Sequence, residues 1–105
     1  MHLDQRLVDY IVDLVRATRE PGSVGLASLT PLVAYGASPR ASIALAQSAR
    51  AHAYLQGRGF VVPEDVRALA PDVLRHRIVL TFEAEAEDVT TDQVVDQVLK
   101  AVRAP

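Results

Sequence analysis

Proline and glycine cut this chain into lengths that only short helices can fill. Glu20-Pro21-Gly22, Ser38-Pro39, Gly57-Arg58-Gly59 and Pro63 stand between stretches whose apolar residues recur every three or four positions. Proline removes a backbone donor and glycine frees the backbone to turn, so each cluster marks an element boundary. Half of the residues are hydrophobic, only 5% are aromatic and none is Trp, so the core is built from Val, Leu, Ile and Ala. Small side chains suit closely packed helices. One domain, 1–105, is expected, burying roughly 60–70% of the surface of its unfolded chain. The fold class expected is all-α: a small bundle of four main helices plus short helical pieces.

The first helix is predicted over Leu3 to Arg19. Leu3, Leu7, Tyr10, Ile11, Leu14 and Val15 trace one face, Val8 and Val12 widen it, and Asp4 serves as N-cap. Pro21 to Ala37 reads as a connector anchored by its leucines, with a helical turn beginning at Pro31. Ser38-Pro39-Arg40 opens the second helix, with Ser38 as cap and Pro39 in the first turn. That helix runs to about Leu55 and offers Ile43, Leu45, Ala46, Ala49 and Ala53 for packing, and the Gly57-Arg58-Gly59 turn ends it.

Phe60-Val61-Val62 reads as an extended connector, and Pro63-Glu64-Asp65 as the start of a third helix with acids in its first turn. Pro71 is expected to break that helix, which restarts as a short piece to Arg77. Ile78-Val79-Leu80 gives no decided pattern, and Glu83 to Asp88 reads as a polar connector. Thr90 and Gln93 have capping-box spacing ahead of a last helix with Val94, Val95, Val98, Leu99 and Val102 on one side.

Composition removes several function classes. Eleven basic and thirteen acidic residues give a net charge of −2, and the basic residues form no stripe, against nucleic-acid binding. No apolar run approaches the ~20 residues that span a bilayer, and the N-terminus lacks a signal peptide's apolar stretch. A soluble, cytoplasmic domain is the expectation. His2, His52 and His76 have no partners at helical spacing, so no metal site is expected, and His76 is read as capping or packing at a helix end. The acidic pairs Glu64/Asp65 and Glu83/Glu85 read as helix-start electrostatics and a solvated connector, not as acid–base machinery.

Four runs carry a family resemblance: Tyr35-Gly36-Ala37-Ser38-Pro39-Arg40-Ala41, Gly57-Arg58-Gly59-Phe60-Val61, Pro63-Glu64-Asp65-Val66 and Ala70-Pro71-Asp72-Val73-Leu74-Arg75-His76-Arg77. In this order and spacing the chain resembles the C-terminal lid domain of MoxR-type AAA+ ATPases. The resemblance implies a role for Arg40 as the second sensor, an arginine that reaches toward the γ-phosphate of ATP held by a separate core. A guanidinium suits that task, being always charged and forked to match phosphate oxygens. The resemblance also puts Pro39 and Ala41 beside the same cleft and brings Tyr10 or Ile11 near the adenine.

A phosphate-cradling loop needs a Gly-x-x-x-x-Gly-Lys run, and the only lysine is Lys100 near the C-terminus. The chain alone is therefore expected to be inactive, and the resemblance implies that it is a fragment of a larger ATPase, with ATP and Mg bound mainly by the absent core. Its implied partners are that N-terminal P-loop core, neighbouring subunits of a ring, and a von Willebrand A-type domain protein. The long connector from Glu20 to Tyr35 departs from the family pattern and leaves the placement of Arg40 open. A free-standing helical protein–protein interaction module is the alternative.

Overall fold

The computed structural model describes residues 2–105 and shows five α-helices: α1 (Gln5–Arg19), α2 (Arg40–Leu55), α3 (Pro63–Leu74), α4 (Phe82–Ala86) and α5 (Thr91–Ala101). Between α1 and α2 lie two 3-10 turns, Pro21–Val24 and Ala27–Leu32, and a short strand β1 (Val33–Tyr35). A third 3-10 turn, Arg75–Arg77, leads from α3 into β2 (Val79–Leu80). The all-α expectation holds, with four main helices around one core.

Local chemistry explains most boundaries. The Asp4 carboxylate accepts the Arg6 N–H at the start of α1, an N-cap at the expected residue. Leu7, Tyr10, Ile11, Leu14 and Val15 are buried along its inner face. Gly57, with φ +76°, adopts the left-handed geometry that ends α2 without strain. Pro63 opens α3, and Thr90 and Gln93 cap each other at the start of α5. Val94, Val95, Val98 and Leu99 of α5 are buried against α1 and α3. The packing of α2 against α3 is the most extensive in the bundle, with Ala41, Leu45, Ala49 and Ala53 buried along α2. Alanine on that face lets the two backbones approach closely.

Several expectations are corrected. Pro71 does not break α3: the helix runs through it to Leu74, and the Arg75 N–H bonds back to the Pro71 carbonyl. Burial of Val66, Ala70, Val73 and Leu74 on one stripe outweighs the single donor that Pro71 lacks. Pro31 lies inside the second 3-10 turn instead of opening it. Glu83 to Asp88 is no simple connector, because the Thr81 hydroxyl caps α4 over Phe82–Ala86. Ile43 points outward and is 62% exposed, while Leu45 takes the core position. His76 is exposed in the turn after α3, so it does not pack there.

The undecided Ile78-Val79-Leu80 run joins β1 as an antiparallel ribbon, Val33 opposite Leu80 and Tyr35 opposite Val79. The Thr81 N–H and hydroxyl then bond the Leu32 and Pro31 carbonyls, tying the ribbon to the connector. The whole is elongated, 44 × 22 × 21 Å.

Candidate functional site

The approach to Arg40 is built from the last turn of α1. Thr18 there is fully buried. Its hydroxyl donates to the Val15 carbonyl at 2.6 Å and accepts the Ala37 N–H at 2.9 Å. The neighbouring Arg19 guanidinium donates to the Ala37 carbonyl, also at 2.9 Å. Both backbone polar groups of Ala37 are thus bonded to α1, as a buried peptide requires. The contact is close because residue 36 is glycine: a Cβ there would fall on the backbone of Thr18 and Arg19. The long connector therefore ends at a fixed point, three residues before Arg40.

Arg40 is the first residue of α2 and is exposed. Among the described residues it has no hydrogen bond or ion pair within the chain, a state it shares with the exposed Arg50 and Arg103, whereas Arg6, Arg16, Arg19, Arg58, Arg67, Arg75 and Arg77 are engaged. A cation at the positive end of a helix dipole is held there against a small unfavourable field. Its backbone is held on both sides: Pro39 has φ −55° in the helical region, and Ala41 is fully buried. Ser38 makes no side-chain cap. The helix entry uses backbone bonds instead, Ala41 N–H to the Ser38 carbonyl and Ser42 N–H to the Pro39 carbonyl.

The four residues named from sequence separate in space. Arg40 and Pro39 are on the surface, while Ala41 and Tyr10 are inside. Tyr10 is a core aromatic whose hydroxyl accepts from the Arg67 guanidinium at 3.2 Å; Arg67 also donates to the Leu99 carbonyl at 3.0 Å. Ile11 is equally buried in bulk, yet its edge lines a shallow groove between α1 and α2. That groove, about 250 Å³, is walled by Val8, Val12, Ile43 and Ala46, with Arg50 at its side. Val12 and Ile43 are its exposed apolar edges, and Ile43 lies one helical turn from Arg40.

A second polar centre lies at the other end of α2. Asp65 is fully buried and accepts the Val62 N–H at 2.8 Å. His52 Nδ1 lies 2.7 Å from its carboxylate, and the Arg58 guanidinium completes the set. Burial pushes the Asp65 carboxyl up, but the Val62, Arg58 and His52 bonds outweigh it and hold the group below the ordinary carboxylate range. This is a structural knot joining α2, the glycine turn and α3. The helix-start role read for Asp65 is present in its bond to Val62; the bonds to His52 and Arg58 went unforeseen. Among the described residues no three His, Asp or Glu side chains gather as a metal site.

Sequence reasoning missed Thr18, Arg19 and Gly36. A threonine on an otherwise apolar helix face was the available signal, since a buried hydroxyl needs partners. Gly36 at the head of the Ala-Ser-Pro-Arg run was another.

The family model of the AAA lid domain matches residues 28–98. The chain is 46% identical over 99 residues to Chaperone MoxR1 of Mycobacterium tuberculosis, an alignment covering 94% of this chain and 26% of that protein. It is 37% identical over 102 residues to Protein MoxR of Methylorubrum extorquens, covering 91% of this chain and 29% of that one. The crystal structure of a candidate ATPase from Cytophaga hutchinsonii is similar with a TM-score of 0.95 at 42% identity, over 98% of this chain and 31% of that one. This chain thus spans about a quarter to a third of the length of the proteins it matches.

Proposed function

The chain belongs to the AAA lid domain family, of the MoxR type, and on that footing we propose that it is a nucleotide-sensing lid whose phosphate-binding core lies outside residues 1–105. The observation that carries the proposal is Arg40: an exposed guanidinium without an intrachain partner, on a rigidly held backbone at the start of a long helix. Such a group is prepared to meet an anion and gives up no existing bond in doing so. The similarity to MoxR proteins over nearly the whole chain disfavours the free-standing interaction module.

ATP with Mg²⁺ would supply the phosphoryl chemistry, and the core would hold both. From the lid, Arg40 would reach the γ-phosphate and stabilise charge as it develops. Pro39 would border it, and the apolar groove edge at Val12 and Ile43 would lie against the core when the lid closes. Tyr10, buried with its hydroxyl on Arg67, would act from within the lid's own interior.

A ring of such subunits is the assembly to which the lid would report nucleotide state. A chaperone-like motor action, a cytoplasmic setting and a von Willebrand A-type partner complete the reading by resemblance to MoxR proteins. No helix among the described residues is long and apolar enough to cross a membrane. The direct test is the coding sequence upstream of Met1. A Gly-x-x-x-x-Gly-Lys-Ser/Thr loop after a strand is expected there; a stop codon in its place would overturn the reading.

A further inference from the structure

We propose that Thr18 and Arg19, with Gly36, are positioning residues for Arg40: by holding the Ala37 peptide they fix the root of the sensor and leave its tip free. The inference rests on the sensor reading of Arg40 and adds to it how the arginine is aimed.

Thr18 and Asp65 are the two buried polar side chains of the described core. Asp65 is accounted for by the knot between α2 and α3. Thr18 is not required by α1 itself: a valine would fill the same space among Leu14, Val15 and Ala17 and leave no hydroxyl to satisfy. What the hydroxyl adds is the bond to the Ala37 N–H, nineteen residues away. Arg19 adds the second bond, to the Ala37 carbonyl, and Gly36 permits the approach.

Nothing else in the connector does this work so near Arg40. Tyr35, immediately before Gly36, is 73% exposed, so its side chain does not anchor the end of β1. Ser38 has no side-chain cap. The backbone around Arg40 is thus pinned at Ala37, restricted at the Pro39 ring and packed at Ala41, while the guanidinium has no partner in the chain. A fixed base under a free charged tip is the arrangement that pre-organises a group for a ligand and lowers the loss of freedom on binding.

The test is a double-mutant cycle on ATP turnover by the full-length ATPase that carries this lid. Thr18→Val, which removes the hydroxyl at constant shape, is expected to lower kcat about five-fold, the coupling usual within one hydrogen-bonded network. The KM for ATP should change little, and Thr18→Ser should restore most of the loss. In an Arg40→Ala background Thr18→Val should have no further effect. Arg19→Gln, on an exposed side chain that leaves the fold intact, should show the same dependence on Arg40 and carries the cycle if Thr18→Val fails to fold.

An equal fractional loss in both backgrounds would make Thr18 and Arg19 merely structural and overturn the proposal. So would full turnover by Thr18→Val and Arg19→Gln while Arg40→Ala is impaired, and in that case the sensor reading stands. Full turnover by Arg40→Ala would remove the sensor reading itself, and the positioning role with it.

Discussion

His52 Nδ1 lies 2.7 Å from the Asp65 carboxylate, joining the last turns of α2 to the first turn of α3. Arg58, on the glycine turn between them, donates to the same oxygen. The carboxylate has no exposure, while its two partners keep about a third of theirs. The angle between these helices therefore depends on one buried charge that stays compensated.

Asp65→Ala is expected to destabilise the domain by about 3 kcal/mol, the low end for breaking a buried pair, because Arg58 and His52 retain access to water. Chemical-denaturation midpoints measure it.

The same residue gives a pH dependence. Its carboxyl is lowered in the folded state, so folding favours the ionised form. The stabilisation is therefore fully present above the unfolded carboxylate pKa of about 3.9 and is lost as pH falls through the lower folded value. The stability gap between wild type and Asp65→Asn should shrink as pH falls below ~4. A gap that grows over that acid range would reverse the sign.

Gly36→Ala should cost about 2 kcal/mol, because the added methyl meets backbone that cannot rotate away. Gly22→Ala, where nothing lies within 4 Å, is the matching control for lost glycine flexibility. Thermal melts of the two variants should diverge.

Two helix starts that look alike in sequence should respond differently. Ser38→Ala removes no cap bond and should change stability by less than about 0.5 kcal/mol. Thr90→Ala removes the bond to the Gln93 N–H and should cost about 1 kcal/mol. Paired denaturation curves decide it.

What was legible in the sequence was local. The face of α1, the Asp4 cap, the Pro63 start and the Thr90–Gln93 box each depend on residues within one or two helical turns. Pairings between distant segments left no such trace. The ribbon joins Val33 to Leu80, and the Thr18 hydroxyl meets a peptide nineteen residues on. Pro71 misled because the burial of Val66, Ala70, Val73 and Leu74, decided by the packed bundle, outweighs one missing bond. Ser38 misled because the first turn of α2 closes on backbone carbonyls. The place of Arg40 at the start of α2 was legible through its motif, and its exposure follows from that place; its lack of a partner among the described residues is visible only in the structure.

The most direct measurement is steady-state ATP turnover by the full-length enzyme with Arg40→Ala, beside Arg103→Ala as a control for losing an exposed arginine. Arg40→Ala should leave the lid folded and assembled, because the side chain is exposed and has no partner within the described chain. Its turnover should fall about 100- to 1,000-fold, the range for removing a positive group aimed at developing phosphate charge. Arg40→Lys should recover only part, since an ammonium lacks the guanidinium fork. Arg103→Ala should turn over as wild type. Equal turnover by wild type and Arg40→Ala, both folded and assembled alike, would contradict the sensor role.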